Sequence, residues 1–131
     1  MTAFFDSNVL IYGLQDDPTR AVNANRLIAA GGWISVQVLN EVANVLRGKL
    51  RHGWSDIERA LLAYHSSLAI LPLTLAIHQR GLAPAKRHRV SIYDAMIVAA
   101  ALEAGCDTLY SEDMHHGLVV DGRLSVVNSF A

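Results

Sequence analysis

Four acidic residues stand where the surrounding sequence predicts a core position or the end of a strand. Asp6 and Asp113 each follow a short apolar run, whereas Glu41 and Asp94 lie in stretches that have the apolar spacing of a helix. A buried acid costs several kcal/mol unless a counter-charge compensates it. A divalent cation shared by the four side chains would supply that charge. Carboxylate oxygens suit Mg²⁺ or Mn²⁺, and such acidic clusters support the hydrolysis of phosphate esters.

Each acid also has an ordinary structural interpretation. Asp6 could cap the helix that begins at the next residue, and Asp113 could be a turn residue after a strand. Glu41 could be a solvated residue at the rim of its helix, with its aliphatic stem on the core. Asp94 could complete a capping box with Ser91, although it shares a helical face with the apolar residues that follow it. Taken together, the four positions favour a metal site.

Composition sets the class of protein. The chain has 131 residues, of which 52% are hydrophobic and 18% charged, and its net charge is −1. These values predict one globular domain over residues 1–131 and argue neither for nor against a nucleic-acid partner. Cys106 is the only cysteine, which excludes an internal disulfide or a thiolate metal site. The N-terminus lacks the pattern of a signal peptide, and the longest uncharged apolar stretch, residues 95–102, is too short to span a bilayer. We therefore expect a soluble, cytoplasmic protein that does not associate with membranes.

The apolar pattern predicts strands that alternate with helices. The predicted strands are residues 2–5, 33–35, 69–73, 108–110 and 124–127. The predicted helices are residues 7–13, 18–30, 36–51, 74–82 and 92–104, with a further helix opening at a capping-box pattern over residues 55–58. Pro84 is expected to close or kink the helix before it. This alternation predicts an α/β fold whose parallel sheet has helices on both faces and whose site lies at the C-terminal ends of the strands.

Four short segments together resemble the PIN-domain family. They are Asp6-Ser7-Asn8-Val9-Leu10, Glu41, Tyr93-Asp94-Ala95-Met96-Ile97 and Leu109-Tyr110-Ser111-Glu112-Asp113. Their order and spacing are most similar to VapC-type toxins of bacterial toxin–antitoxin modules, and the resemblance covers residues 2–130. It implies a three-layer α/β fold with a mostly parallel five-stranded sheet of order 3-2-1-4-5. It also implies a metal-dependent endoribonuclease that cleaves single-stranded RNA.

The same resemblance implies which acids act. Asp6, Glu41, Asp94 and Asp113 match the catalytic and metal-binding acids of the family, with Mg²⁺ or Mn²⁺ as the cofactor. Glu112 stands beside Asp113, so the sequence leaves open which of the two is the fourth acid. Hydrolysis at such a site would leave a 3′-hydroxyl and a 5′-phosphate without a side-chain nucleophile.

Three polar residues are expected to support these acids. Asn8 matches the family pattern, and Ser7 and Ser111 stand where threonine is common, so that the hydroxyl is kept. We expect the three side chains to orient the carboxylates or a water molecule. The resemblance further implies a homodimer and a cognate antitoxin whose C-terminal segment covers the acidic pocket.

A run of basic residues precedes the segment that contains Asp94. Its cations include Arg80, Lys86, Arg87 and Arg89. Such a run is usually a solvated surface, but beside an acidic metal site it could also bind the phosphates of RNA. The sequence leaves these two interpretations open.

Two other functions are compatible with the same residues. The first is a metal-dependent phosphatase or DNA nuclease that uses the same acids. The second is a PIN-like scaffold that binds RNA or protein without cleaving it. A lost acid would mark such a scaffold, and Asp6, Glu41 and Asp94 are all present.

Overall fold

The computed structural model describes residues 1–130, which form six helices and six strands. The strands are β1 (Ala3–Phe5), β2 (Trp33–Ser35), β3 (Ala69–Leu71), β4 (Thr108–Tyr110), β5 (Val119–Val120) and β6 (Leu124–Val127). The helices are α1 (Ser7–Gly13), α2 (Pro18–Ala29), α3 (Val36–Gly48), α4 (Trp54–Ser67), α5 (Leu75–His88) and α6 (Ile92–Glu103). None of the helices described is both long enough and apolar enough to cross a membrane.

The strands form one sheet of order β3-β2-β1-β4-β6-β5. Every neighbouring pair is parallel except β5 and β6, which are antiparallel. The predicted α/β fold is therefore confirmed, and the predicted order 3-2-1-4-5 is kept because the fifth predicted strand is β6. The sixth strand, β5, was not predicted, since its two residues are too few to give a recognisable pattern.

The central strand β1 is covered on both faces. Ala3, Phe4 and Phe5 are 6%, 0% and 0% exposed. Successive side chains of a strand point to opposite faces of the sheet, so both faces of β1 pack against the rest of the core. This is the burial expected of a parallel sheet with helices on each side.

Local sequence signals set most of the helix starts, but two boundaries differ from prediction. Asp17 caps α2, because its carboxylate accepts from the backbone N–H groups of Thr19 and Arg20. The predicted capping box at residues 55–58 is wrong, since α4 begins at Trp54 after a glycine that gives no side-chain cap. Helix α5 continues through the buried Pro84 to His88. Proline costs the helix one hydrogen bond, but its fixed φ is helical and its ring packs in the interior.

Two further element ends fall short of the predicted ones. Helix α3 ends at Gly48 rather than at residue 51, and the backbone of Arg51 is left-handed with a φ of 55°. Strand β3 ends at Leu71, directly before Pro72, which cannot donate a ladder hydrogen bond. Neither change moves a predicted site residue out of its element.

A glycine between α2 and β2 allows the backbone to approach β1 closely. Gly32 has a φ of 153°, and a Cβ built on it would lie 2.7 Å from the carbonyl oxygen of Ala3. The adjacent Gly31 also has a positive φ of 90°, but a Cβ there meets nothing within 4 Å. A side chain at Gly31 would therefore cause backbone strain alone, whereas one at Gly32 would add steric overlap to the strain.

We predict that Gly32→Ala destabilises the fold more than Gly31→Ala does. Gly31→Ala should lower the free energy of unfolding by roughly 1 kcal/mol through strain alone. Gly32→Ala should lower it by roughly 2–4 kcal/mol, because overpacking against β1 adds to the strain. Urea denaturation of both variants measures the difference. Equal losses would show that this contact does not constrain the sheet.

Candidate active site

The site begins where neighbouring parallel strands end. Asp6 follows β1 directly, and Ser111 follows β4 directly. Strands β1 and β4 pair in register with Phe5 opposite Tyr110, so the residues after them come together at one edge of the sheet. The backbone N–H of Asp6 donates to the carbonyl oxygen of Tyr110 at 3.0 Å, which continues the pairing into the site.

Asp6 is a buried carboxylate with two close donors. Its side chain is 1% exposed. The Ser7 backbone N–H donates to Oδ1 at 2.7 Å, so Asp6 caps α1, and the Ser111 hydroxyl donates to Oδ2 at 2.7 Å. Burial raises the pKa of Asp6 to about 7, although these hydrogen bonds oppose the rise and the nearby Asp94 and Glu41 add to it.

Two further acids meet Asp6 at one point. Asp6, Asp94 and Asp113 each offer a carboxylate oxygen, and these oxygens all lie within 4.8 Å of one another. Asp94 is half-buried in the first turn of α6, where Ser91 caps the helix by accepting from the Asp94 backbone N–H. Burial raises the pKa of Asp94, and the charge of Asp113 raises it further. Capping and clustering thus coexist at this helix start.

The fourth predicted acid, Glu41, lies beside this group but outside it. It projects from α3, and the Ser7 hydroxyl donates to its Oε1 at 3.0 Å. The Gln37 amide donates to its Oε2 at 2.8 Å. The Ser7 hydroxyl also lies 3.4 Å from Asp6 Oδ1, so one side chain joins Glu41 to the acidic group. The structure therefore brings three of the four acids together. The Ser7 side chain lies between this group and the fourth acid, Glu41.

Glu112 has a different partner from Asp113. The Tyr12 hydroxyl donates to Glu112 Oε1 at 2.6 Å, and Glu112 is absent from the three-acid group, whose third member is Asp113. The guanidinium of Arg20 lies over the Tyr12 ring, 4.7 Å from its centre, and the Phe130 ring makes an edge contact with Tyr12 at 4.7 Å between ring centres. Tyr12 therefore fixes the segment after β4 that carries Asp113. No local pattern in the sequence indicates this contact, because Tyr12 and Glu112 lie 100 positions apart.

The three supporting side chains differ in what they contact. The hydroxyls of Ser7 and Ser111 both contact the Asp6 carboxylate. Asn8 makes no side-chain hydrogen bond within residues 1–130, although both of its polar side-chain atoms are buried. Of the three residues, only the two serines therefore contact an acid of the site.

The donor set fits a hard divalent cation. Three carboxylates converge, serine hydroxyls hold the most buried one, and within residues 1–130 no basic side chain forms an ion pair with any of the four acids. The buried charge of Asp6 needs compensation, which a cation can supply. Oxygen ligands of this kind are those of Mg²⁺ and Mn²⁺.

The predicted basic residues lie on and just after α5. Arg80 forms an ion pair with Glu103, with 2.7 Å between the guanidinium nitrogen and the carboxylate oxygen. Arg87 is 3.9 Å from Asp121 on an exposed surface, and Lys86 and Arg87 line the same shallow cavity. Arg89 ends α5 with a left-handed backbone and is exposed. Lys86, Arg87 and Arg89 are exposed and Arg80 is half-buried, so the first three are more accessible to an anionic ligand.

A family model and several solved structures match this chain. The model of the PIN domain matches residues 3–117. The fold is similar to VapC20 of Mycobacterium tuberculosis, described as a toxin that cleaves the sarcin-ricin loop, with a TM-score of 0.67 at 20% identity over 86% of this chain and 90% of that one. It is also similar to a toxin–antitoxin complex from Klebsiella pneumoniae, with a TM-score of 0.74 at 21% identity over 98% of each chain. FitAcB from Neisseria gonorrhoeae gives a TM-score of 0.70 at 20% identity, covering 98% of this chain and 99% of that one. No curated protein sequence matches the chain significantly.

We predict that the protein without divalent metal loses stability as the pH rises from 5 to 8. Because the pKa of folded Asp6 is about 7 and its ordinary value is 3.8, the folded state holds a proton that the unfolded chain releases. The stabilisation is complete below the unfolded pKa and is lost as the pH rises through the folded one, by an amount on the order of a few kcal/mol. Asp94 acts in the same direction.

Thermal melts in EDTA at pH 5, 6, 7 and 8 test this expectation. Asp6→Asn cannot titrate at this position, so its melting temperature should change less over the same range. The histidines and all other groups are common to both proteins, and the comparison isolates Asp6. Parallel pH profiles for the two proteins would contradict the prediction.

Proposed function

This chain belongs to the PIN-domain family, and on that premise we propose that it is a metal-dependent endoribonuclease that cleaves single-stranded RNA. The observation that carries the proposal is the convergence of Asp6, Asp94 and Asp113 at the C-terminal edge of a parallel sheet. Three converging carboxylates that form no ion pair with a basic side chain in residues 1–130 suit phosphodiester hydrolysis assisted by Mg²⁺ or Mn²⁺.

We assign a separate role to each group of residues in the site. Asp6, Asp94 and Asp113 would hold the cation, and Glu41 would act beside them directly or through water. When bound, the cation supplies positive charge that offsets the charge of the scissile phosphate and of the leaving oxygen. Ser7 and Ser111 keep the Asp6 carboxylate in one orientation, which lowers the cost of assembling the site.

The same premise extends to the biological role. We propose that the protein is the toxin of a VapBC-type pair, active in the cytoplasm, and that its partners are a cognate antitoxin and a second copy of itself. Support comes from similar folds in a toxin–antitoxin complex from Klebsiella pneumoniae and in a DNA-bound VapBC complex from Salmonella typhimurium, the latter with a TM-score of 0.67 at 18% identity. We also propose that residues 1–131 act as one domain.

We predict that Asp94→Asn lowers the rate of RNA cleavage roughly a hundredfold, the size of effect that follows the loss of one preorganised electrostatic group. The fold should persist, because the capping hydrogen bond uses the backbone N–H of residue 94 and the hydroxyl of Ser91. Cleavage rates are measured on matched single-stranded RNA, duplex RNA, single-stranded DNA and an aryl phosphate, each with Mg²⁺, Mn²⁺ or EDTA.

Asp56→Asn is the matched control, since Asp56 is an exposed acid whose ion pair with Arg59 lies on the surface of α4. It should cleave at the wild-type rate. Preference for DNA or for the aryl phosphate would favour a DNA nuclease or a phosphatase. Failure of the folded wild-type protein to cleave any substrate would favour a binding scaffold, and full activity of Asp94→Asn would remove Asp94 from the mechanism.

We also predict that replacing both Arg87 and Arg89 with alanine weakens RNA binding and flattens its salt dependence. If each arginine contacts one phosphate, the slope of log K against log salt should fall by about 1.4, because a single-strand contact contributes about 0.7. Fluorescence anisotropy of a labelled single-stranded RNA, with Asp94→Asn as the background so that cleavage is slow, measures the slope. Arg59→Ala is the control, because it removes a cation from a different surface. An unchanged slope in the double variant would show that Arg87 and Arg89 do not bind phosphate and belong to a solvated surface.

A further inference from the structure

A cavity lies beside the acidic group, and most of the side chains that line it are amides. Gln37, Asn40, Glu41 and Asn44 of α3 line it together with Tyr93 of α6, and its volume is about 320 Å³. The four α3 residues recur at helical spacing, so they form one polar stripe beside the buried face of Val38, Val42 and Leu46. We call this cavity the amide pocket.

The amide pocket is joined to the acidic group through two residues. Glu41 belongs to its wall and is linked through the Ser7 hydroxyl to Asp6. Tyr93 also belongs to its wall and directly precedes Asp94. A substrate held at the acidic group would therefore place its neighbouring groups at or near this pocket.

The chemistry of the lining disfavours a phosphate and favours a neutral polar ring. The pocket contains a carboxylate and no cation. The side chains of Asn40 and Asn44 make no hydrogen bond to any other group in residues 1–130, and both residues are exposed. An amide both donates and accepts, so two unpaired amides match a flat group whose edge carries both kinds of atom.

Tyr93 supplies the flat surface that such a ring requires. Its side chain is 67% exposed although it is a large aromatic residue. It also lines a neighbouring, mainly apolar cavity with Leu73, Ile92 and Met96. The ring therefore lies between this cavity and the amide pocket and is not packed in the core. Exposed aromatic rings beside a nucleic-acid path stack on bases, and this stacking tolerates any base.

We propose that the amide pocket is a nucleobase subsite for the nucleotide adjacent to the scissile phosphate. The base stacks on Tyr93, and its edge makes hydrogen bonds with the amides of Asn40 and Asn44. This proposal rests on the proposed ribonuclease function and adds a substrate contact to it. The stacking surface supplies affinity, and the amides supply preference among the bases.

The first part of the test measures base preference. Wild-type protein, Asn40→Ala and Asn44→Ala cleave a single-stranded RNA pool with random sequence, and the new ends are sequenced. We expect the wild type to prefer particular bases at one position next to the cleaved bond. The two variants should lose that preference, whereas Gln79→Ala, an exposed amide on α5 outside this pocket, should keep it.

The second part measures stacking with an abasic substrate. The wild type and Tyr93→Ala cleave one preferred RNA and the same RNA with an abasic nucleotide at the identified position. Removal of the base should raise the KM of the wild type about tenfold, and Tyr93→Ala should be nearly insensitive to it. Leu62→Ala, another exposed apolar residue at 65% exposure, should behave as the wild type.

Each outcome supports or overturns a distinct statement. Unchanged preferences in both asparagine variants, or equal loss of activity by Tyr93→Ala on both substrates, would overturn the subsite while leaving the ribonuclease in place. Absence of cleavage by the folded wild-type protein would overturn the proposed function and the subsite with it. A change in oligomeric state of the variants by sedimentation, with preferences unchanged, would assign this surface to contact with a second copy instead.

Discussion

The site depends on keeping the carboxylate of Asp6 buried at the end of the central strand. Its two closest donors are the backbone N–H of Ser7 and the hydroxyl of Ser111. The position of Ser111 follows from the parallel register of β1 and β4, so the pairing of two central strands fixes the geometry of the carboxylate. The hydrogen bonds do not cancel the cost of burial, because the pKa of Asp6 remains raised to about 7. A proton or a cation must therefore complete the site, and convergence of Asp94 and Asp113 on the same point favours the cation.

The three acids form a gradient from the core to the solvent, and the outer member needs separate support. Asp6 is buried, Asp94 is half-buried and Asp113 is exposed. Asp6 and Asp94 stand at helix starts, but Asp113 lies on an irregular segment after β4. The hydrogen bond from Tyr12 to Glu112 anchors that segment to α1. Because Arg20 and Phe130 pack on the same tyrosine ring, residues from distant parts of the chain support Glu112, the neighbour of the most accessible acid.

The sequence predicted contacts that follow from strand ends and helix caps, and it missed contacts between distant residues. Asp6 was predictable because an acid after a buried strand is conspicuous. The Ser91 cap was predictable because a serine three residues before an acid is a capping pattern. The bond between Tyr12 and Glu112 joins residues 100 positions apart, and no periodicity reports such a pair. The bond that draws Glu41 to Ser7, and so holds it beside the three-acid group, spans 34 positions. The continuation of α5 through Pro84 was equally hidden, because tertiary packing overrode the local preference of proline.

One rigid element links the acidic group to its surroundings. Helix α3 starts without a loop after β2, and the buried Ser35 caps it by accepting from the Val38 backbone N–H. The helix packs through its apolar stripe and presents the polar stripe, which contains Glu41, Asn40 and Asn44, on an adjoining face. Because a packed helix moves as a unit, a displacement that shifted Asn40 or Asn44 would also shift Glu41 and strain its hydrogen bond to Ser7. Because Asn40 and Asn44 are exposed and their side chains make no hydrogen bond within residues 1–130, substitution of either should leave the helix where it is. The architecture therefore allows the contacts beside the acids to vary by substitution while the acids keep their positions.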